Sequence, residues 1–385
     1  MAGFALDPEQ EQWCEQLRAL AAERLRPLAE KGEPGCVNRP LLAALGEQGL
    51  LERVFGAGAL ELCLLRESLA YGCTEAETAL ALQGLGAHPV LSAGSAAQRE
   101  RWLPGVREGR TVAAFALSEP GAGSDAAALA LAADRDGRGG GGAGWRLTGE
   151  KRWISNAPEA DFYTVFARTG EGPGAKGVSA FLVPADRPGL TGEALDMLSP
   201  HPIGSLAFDG VPVGPADLLG EPGRGFRVAM DTLNRFRPSV GAFAVGMARA
   251  ALDATLAHTA RRQAFGGVLG DLQAVAHRVA EMATRTEAAR LLVYAAAGAY
   301  DRDSGAPEVP RRAAMAKLLA TETAQYVVDH AVQLHGAVAL QRGHLLEHLY
   351  REVRAPRIYE GASEVQRTII AKSLYGQTGA GAAGR

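Results

Sequence analysis

The chain has 385 residues, is 47% hydrophobic, and carries 40 basic against 43 acidic side chains for a formal net charge of -3. That length can bury a large core and hold two or three domains, while the near balance of charge offers no electrostatic footprint for nucleic acid or an anionic membrane. The opening MAGFALDPEQEQW has no basic-then-apolar leader and no uninterrupted apolar run nears the length of a bilayer span, so the cytoplasm is the expected location.

Asp7-Pro8 pairs an N-cap residue with a proline at the first helical position, and the stretch to about residue 112 is rich in Ala, Leu, Glu and Arg. This predicts an N-terminal helical domain over 1–112, punctuated into several helices by Pro89, Gly94 and Pro104. Its four cysteines, Cys14, Cys36, Cys63 and Cys73, show no C-x-x-C spacing and read as reduced, mostly buried thiols. From Thr111 the pattern changes to short apolar or alternating runs, VAAFALSEP, GWRLTGEKRWIS, ADFYTVFAR, GVSAFLVP and GSLAFDGVPV, which predict a compact β domain over 113–218. The GRGGGGAGW stretch at 137–145 reads as a flexible hairpin tip, because so many glycines cost backbone entropy to order. Beyond Gly225 a helical period returns in Val245, Ala248, Leu252 and Leu256, in Leu272, Val275, Val279 and Met282, and in Met315, Leu319 and Tyr326. Such stripes suit a C-terminal helical bundle over 219–375, with 376–385 as a disordered tail. The expected fold class is α+β, mainly α.

Five segments bear on chemistry. ALSEPGAGSD (116–125) ends a β run in tight turns whose N–H groups, with the hydroxyls of Ser118 and Ser124, could cradle a polar ring edge or a phosphate; taken alone, an ordinary turn is the plainer reading. It is not a P-loop, and Gly121-Ala122-Gly123 lacks the third glycine of a dinucleotide fingerprint. GEKRWISNA (149–157) puts Trp153 and Ser155 at i and i+2, on one side of a short strand, where they would suit a planar heterocycle, although a core tryptophan is the commoner explanation. RQAFGGVLGDLQ (262–273) offers Arg262, either a pyrophosphate clamp or an exposed helix-end arginine. HLLEH (344–348) has an inverted zinc-protease pattern, but Arg342, Arg351 and Arg354 crowd it with positive charge, and partly exposed helix histidines describe His344 and His348 better. PRIYEGASEVQR (356–367) sets Glu360 just before a helix start, as a surface acid on a turn or as a base held at a reaction site.

Read in order, AFALSEPGAGSD, LTGEKRWISNA, RQAFGGVLGDLQAVAHRVAEMAT, AVQLHGA and YREVRAPRIYEGASEVQR resemble the acyl-CoA dehydrogenase family of flavoproteins. The resemblance implies an N-terminal helical domain, a central β domain and a C-terminal four-helix domain, with FAD between the last two. It implies that Phe115, Leu117 and Ser118 line the isoalloxazine, that Trp153, Ile154 and Ser155 flank it, and that Gly123 and Ser124 touch both flavin and acyl thioester. It places Arg262, Phe265, Gln273, Gln333, Gly336 and Ala337 at the adenosine and pyrophosphate half of a neighbouring subunit's FAD, with Ala362 and Glu364 as further cofactor contacts. Binding would then need assembly, and a homotetramer built as a dimer of dimers is implied. Arg237 falls where the family has an arginine for the CoA moiety. Glu360 matches the Tyr-Glu-Gly base of the main branch, Gly361 allows close approach to the substrate, and the alternative base position of a second branch is occupied here by Phe236.

The implied activity is trans-2 desaturation of an acyl-CoA thioester in fatty-acid β-oxidation, with electrons passed to an electron-transfer flavoprotein. Two differences from the usual pattern stand out: Gly361-Ala362 in place of Gly-Thr, and Gly336-Ala337-Val338-Ala339 in place of Gly-Gly-x-Gly. Alternatives on the same fold are an acyl-thioester oxidase, a flavin monooxygenase, or a dehydrogenase taking its acyl group from an acyl carrier protein. From other classes come a zinc hydrolase on His344 and His348 and an idle binding homologue. The acyl chain itself cannot be read from the sequence.

Overall fold

The computed structural model describes residues 6–136, 144–170 and 172–377. The expected hairpin tip falls largely outside these residues, as does the tail from 378 on; Gly376 and Gln377, assigned to that tail, are instead the last residues of a helix. By contact the chain forms two compact units, each made of separate stretches: one of residues up to Arg24, Gly58–Glu77 and Asn234 onward, the other of Leu25–Ala57 and Thr78–Leu233.

The first unit is helical. Its opening helix, Pro8–Leu20, starts at a capping box in which Asp7 Oδ1 accepts from the Gln10 N–H at 2.8 Å and Gln10 Oε1 accepts from the Asp7 N–H at 3.1 Å. Helix Ala59–Gly72 packs with the long helices Gly225–Thr259, Gln273–Arg302 and Val309–His335 around a core that includes Cys63, Phe243, Met247, Met282, Val293 and Val327. The Gly225–Thr259 helix is long and apolar enough to cross a membrane by length and composition, yet 67% of its most apolar window is buried within the protein, which marks it as a core helix.

One predicted stripe faces the wrong way. On Val309–His335 the core takes Ala313, Ala316, Ala320, Ala324, Val327 and Ala331, whereas Leu319 is exposed and Met315 and Tyr326 are half-buried. Alanine supplies that face because small side chains let helices approach closely, and a count of large apolar residues overlooks it. Leu256 is likewise exposed.

The second unit is built on a seven-stranded sheet: β1 (Ala113–Ala116), β2 (Ala132–Arg135), β3 (Trp145–Ser155), β4 (Phe162–Arg168), β5 (Val178–Pro184), β6 (Leu190–Ala194) and β7 (Ile203–Val213). Its order is β1-β4-β2-β3-β7-β6, with β5 antiparallel to β4 and β1 parallel to it. The fully buried β4 and β5 read directly as apolar runs. Strands β2 and β6 have no such signature: β2 is a short alanine-led stretch, and β6 is an edge strand exposed along most of its length. Neither Pro89 nor Pro104 divides a helix as expected. Both lie inside one, Thr74–Ala93 and Ala96–Arg107, and only the Gly94-Ser95 step separates the two, with Ser95 capping the second.

Candidate active site

Glu360 sits between a short 3-10 turn, Ala355–Arg357, and the helix Ser363–Gln377. Its φ is +50° and that of Gly361 is +96°, two successive left-handed residues of which only the glycine adopts the conformation freely. Three side chains hold this turn. Gln366 Nε2 donates to the carbonyls of Glu360 at 3.2 Å and Gly361 at 2.8 Å, Lys317 Nζ donates to Gly361 O at 2.7 Å, and Arg237 Nε donates to Glu360 O at 3.3 Å. Glu360 as a residue is half-buried, but its Oε2 is buried and has no hydrogen-bond partner among the described residues. Burial pushes the carboxyl above its ordinary range, against the opposing pull of Arg66, Lys317 and Arg237.

Those three cations are 3%, 0% and 6% exposed, so they act on Glu360 with little screening. Arg66 Nη1 donates to Ser239 Oγ at 2.6 Å, and its Nε pairs with the buried Glu77. Desolvation brings the Lys317 ammonium down to about 8, with the charge of Glu360 working against that fall. Arg237, expected at the CoA moiety, is bonded here to the turn of Glu360 and, through Nη1 at 2.8 Å, to Asn234 Oδ1.

In the sheet unit, Phe115 of β1 packs against Phe166, Leu117 is buried, and Ser118 O accepts from the Arg152 N–H at 3.0 Å, which joins the 116–125 loop to β3. The expectation of a short regular strand carrying Trp153 and Ser155 on one side needs correction. Strand β3 has 11 residues, its register with β7 shifts between Lys151 and Ile154, and Trp153 and Asn156 have φ of +58° and +65°. A bulge re-aims side chains, and here it leaves the Trp153 ring 47% exposed instead of in the core. Ile154 is buried in the sheet, where it pairs with Gly204 of β7. Gly123 and Ser124 are exposed, and a Cβ at Gly123 would meet open space.

Arg262 follows the end of the Gly225–Thr259 helix and leads into a two-stranded hairpin, Gln263–Ala264 with Gly267–Val268. Phe265 at its tip is 89% exposed with φ +55°. Gln273 begins the next helix; Gln333, Gly336 and Ala337 lie exposed at the C-terminal end of Val309–His335. These two groups are brought together: the rings of His258, which accepts from the Arg262 N–H through its carbonyl, and His335 stack at 4.1 Å. An open hollow of about 360 Å³ is lined there by Ala257, His258, Arg261 and Arg262. Ala362 and Glu364 occupy the start of the last helix. Of the HLLEH pair, His344 caps Leu345–Glu352 and His348 Nε2 lies 2.6 Å from Thr74 Oγ1.

Models of the acyl-CoA dehydrogenase N-terminal, middle and C-terminal domains match residues 7–110, 114–211 and 223–375. The chain belongs to the acyl-CoA dehydrogenase family. It is 36% identical over 373 residues to cyclohexane-1-carbonyl-CoA dehydrogenase of Geobacter metallireducens, covering 94% of this chain and 96% of that one. It is 37% identical over 341 residues to the mitochondrial short-chain specific acyl-CoA dehydrogenase of Bos taurus, covering 86% and 81%. Butyryl-CoA dehydrogenase from Megasphaera elsdenii superposes with a TM-score of 0.87 at 31% identity, covering 97% and 99%.

This acyl-CoA dehydrogenase is an FAD-dependent oxidoreductase, and its residues fit the cofactor. The half-exposed Trp153 ring offers a flat face, and the hydroxyls of Ser118, Ser124 and Ser155 have no partner among the described residues. Sequence reasoning missed the charged residues behind both surfaces. Lys151 Nζ pairs with Glu119 Oε1 at 2.7 Å in a fully buried bridge, and Glu119 also accepts from the N–H groups of Ala130 and Leu131, which fixes the 116–125 loop. Lys317 and Gln366 do the same for the turn of Glu360, and the buried Arg66, paired with Glu77, acts on its carboxylate by charge. The available signal was Lys317 within AAMAKLLAT, a single charge in an otherwise apolar helical stretch, and the adjacent Arg66 and Glu67 within CLLRESLA.

Proposed function

We propose that this enzyme desaturates an acyl thioester between its α and β carbons, with Glu360 removing the α-proton. The observation that carries the reading is Glu360 Oε2, a buried carboxylate oxygen without a partner among the described residues, on a left-handed turn that three side chains hold in place. A solvated carboxylate is far too weak to deprotonate a thioester α-carbon; burial raises Glu360 toward the acidity of that proton and makes it a stronger base. Its own N–H has no acceptor among the described residues. That leaves a donor for the thioester carbonyl, where charge develops as the proton departs. Bound FAD supplies the two-electron oxidant that takes the β-hydride. Phe115, Leu117, Ser118, Trp153 and Ser155 would hold its ring, and Gly123 and Ser124 would face both ring and thioester.

Arg262, Phe265, Gln273, Gln333, Gly336 and Ala337 serve the adenosine and pyrophosphate half of a second subunit's FAD, and the near-complete exposure of Phe265 supports a partner at that face. The assembly is a homotetramer made of two dimers. An electron-transfer flavoprotein takes the electrons, and the acyl group arrives on CoA or on an acyl carrier protein, which present the same pantetheine arm. The test is anaerobic mixing with a thioester panel on both carriers. Wild type is expected to bleach its flavin with at least one thioester, and Glu360→Gln to bind FAD and bleach with none; substantial bleaching by the variant would refute the assignment. Stoichiometric peroxide under air would assign an oxidase instead.

A further inference from the structure

The groups facing Glu360 share an arrangement that its role as a base does not by itself require. Arg66, Arg237 and Lys317 come from three different helices, Ala59–Gly72, Gly225–Thr259 and Val309–His335, and all three are buried. Each is bonded to something other than the carboxylate: Arg66 to Glu77 and Ser239, Arg237 to Asn234 Oδ1 and Glu360 O, Lys317 to Gly361 O. Ser239 lies two residues beyond Arg237, so Arg66 and the turn of Glu360 meet the same stretch of one helix. The remaining charged or titratable neighbours are Glu77 and Tyr359 near Arg66, Glu352 near Tyr359, and Glu322 and Glu364 near Lys317.

A direct hydrogen bond from a cation would occupy the lone pair that must receive the α-proton, whereas charge acting through space keeps the carboxylate ionised and leaves the lone pair open. We propose that Arg66, tethered by Glu77 and Ser239, is a positioning residue for the base: with Lys317 and Arg237 it forms a cage of cations, each anchored by a bond to a group other than the carboxylate, that holds Glu360 ionised. The proposal rests on the assignment of Glu360 as the base.

The experiment removes the cation and its counterion together. Arg66→Leu/Glu77→Leu takes out both members of the buried ion pair, so neither is left without the other. Without Arg66 the folded carboxylate binds its proton more readily, so the acid limb of kcat/KM for anaerobic flavin reduction moves to higher pH. The loss is roughly three- to tenfold on that limb, with little change at the alkaline plateau. Arg66→Lys is expected to return the limb toward wild type. Isotope-edited infrared difference spectra, with Glu360→Gln as the blank, read the same carboxyl titration without turnover. Glu77→Gln keeps Arg66 and removes its counter-anion, so there the limb stays or moves to lower pH. That variant decides the matter if the double variant does not fold: an upward move in it overturns the proposal. An unmoved limb and an unmoved infrared titration in a folded, FAD-loaded double variant also overturn it. Flavin bleaching by Glu360→Gln would instead overturn the assignment of the base, so the two failures are distinct.

Discussion

Lys317 gives a prediction whose size follows from the structure. It is fully buried, its one bond among those described runs from Nζ to Gly361 O, and desolvation takes its ammonium from the ordinary 10.5 to about 8. The folded state therefore disfavours the protonated lysine, at a cost of about 3 kcal/mol at neutral pH from 1.36 kcal/mol per pH unit. The sign follows from linkage. Between about pH 8 and 10.5 the unfolded chain binds more protons at this position than the folded one, so stability contributed here rises with pH across that window and is flat below it. Lys317→Met keeps the stem in its apolar slot, removes the ammonium and loses a charged hydrogen bond worth roughly 1.5–3 kcal/mol, so near pH 7 the two effects nearly cancel. Gln366 still holds the Gly361 carbonyl. The assay is urea unfolding at saturating FAD, followed by tryptophan fluorescence from pH 7 to 9.5. The wild-type-minus-variant difference is expected to grow by about 2 kcal/mol between pH 8 and 9.5, since other titrating groups cancel in the subtraction. A difference that stays flat would refute the reasoning.

Gly361→Ala is expected to lower kcat for flavin reduction at least tenfold while FAD still binds, because φ is +96° and the new Cβ would lie 2.5 Å from Gln366 Nε2, breaking the clamp on the turn. Glu119→Gln leaves Lys151 buried without its counter-ion and should cost about 3–5 kcal/mol in chemical denaturation, most of it regained in Glu119→Gln/Lys151→Met, which keeps an acceptor for the Ala130 and Leu131 N–H groups. Arg262→Ala, at an exposed position, is expected to weaken FAD retention about tenfold in equilibrium dialysis with the circular dichroism spectrum unchanged.

Much of this protein is legible in the chain because local rules act on short windows. The Asp7-Pro8 cap, the apolar runs of β4 and β5, and the Gly361-Ala362-Ser363 punctuation before the last helix each depend on neighbours within a few residues. Where a motif depended on distant packing, the sequence fell short. The bulge that turns Trp153 outward arises from register with β7, the alanine face of Val309–His335 from close helix contact, and the continuous helices through Pro89 and Pro104 from tertiary context.

The same division runs through the site. The sequence alone determined that a carboxylate would stand before a glycine at a helix start, since that is a matter of residue order. Only the tertiary structure decided that Glu360 would be an unpartnered acid among Arg66, Arg237 and Lys317, residues 294, 123 and 43 positions away in the chain. Electrostatic environment is set by distance through space and by exclusion of water, and neither is written in any window of neighbouring residues.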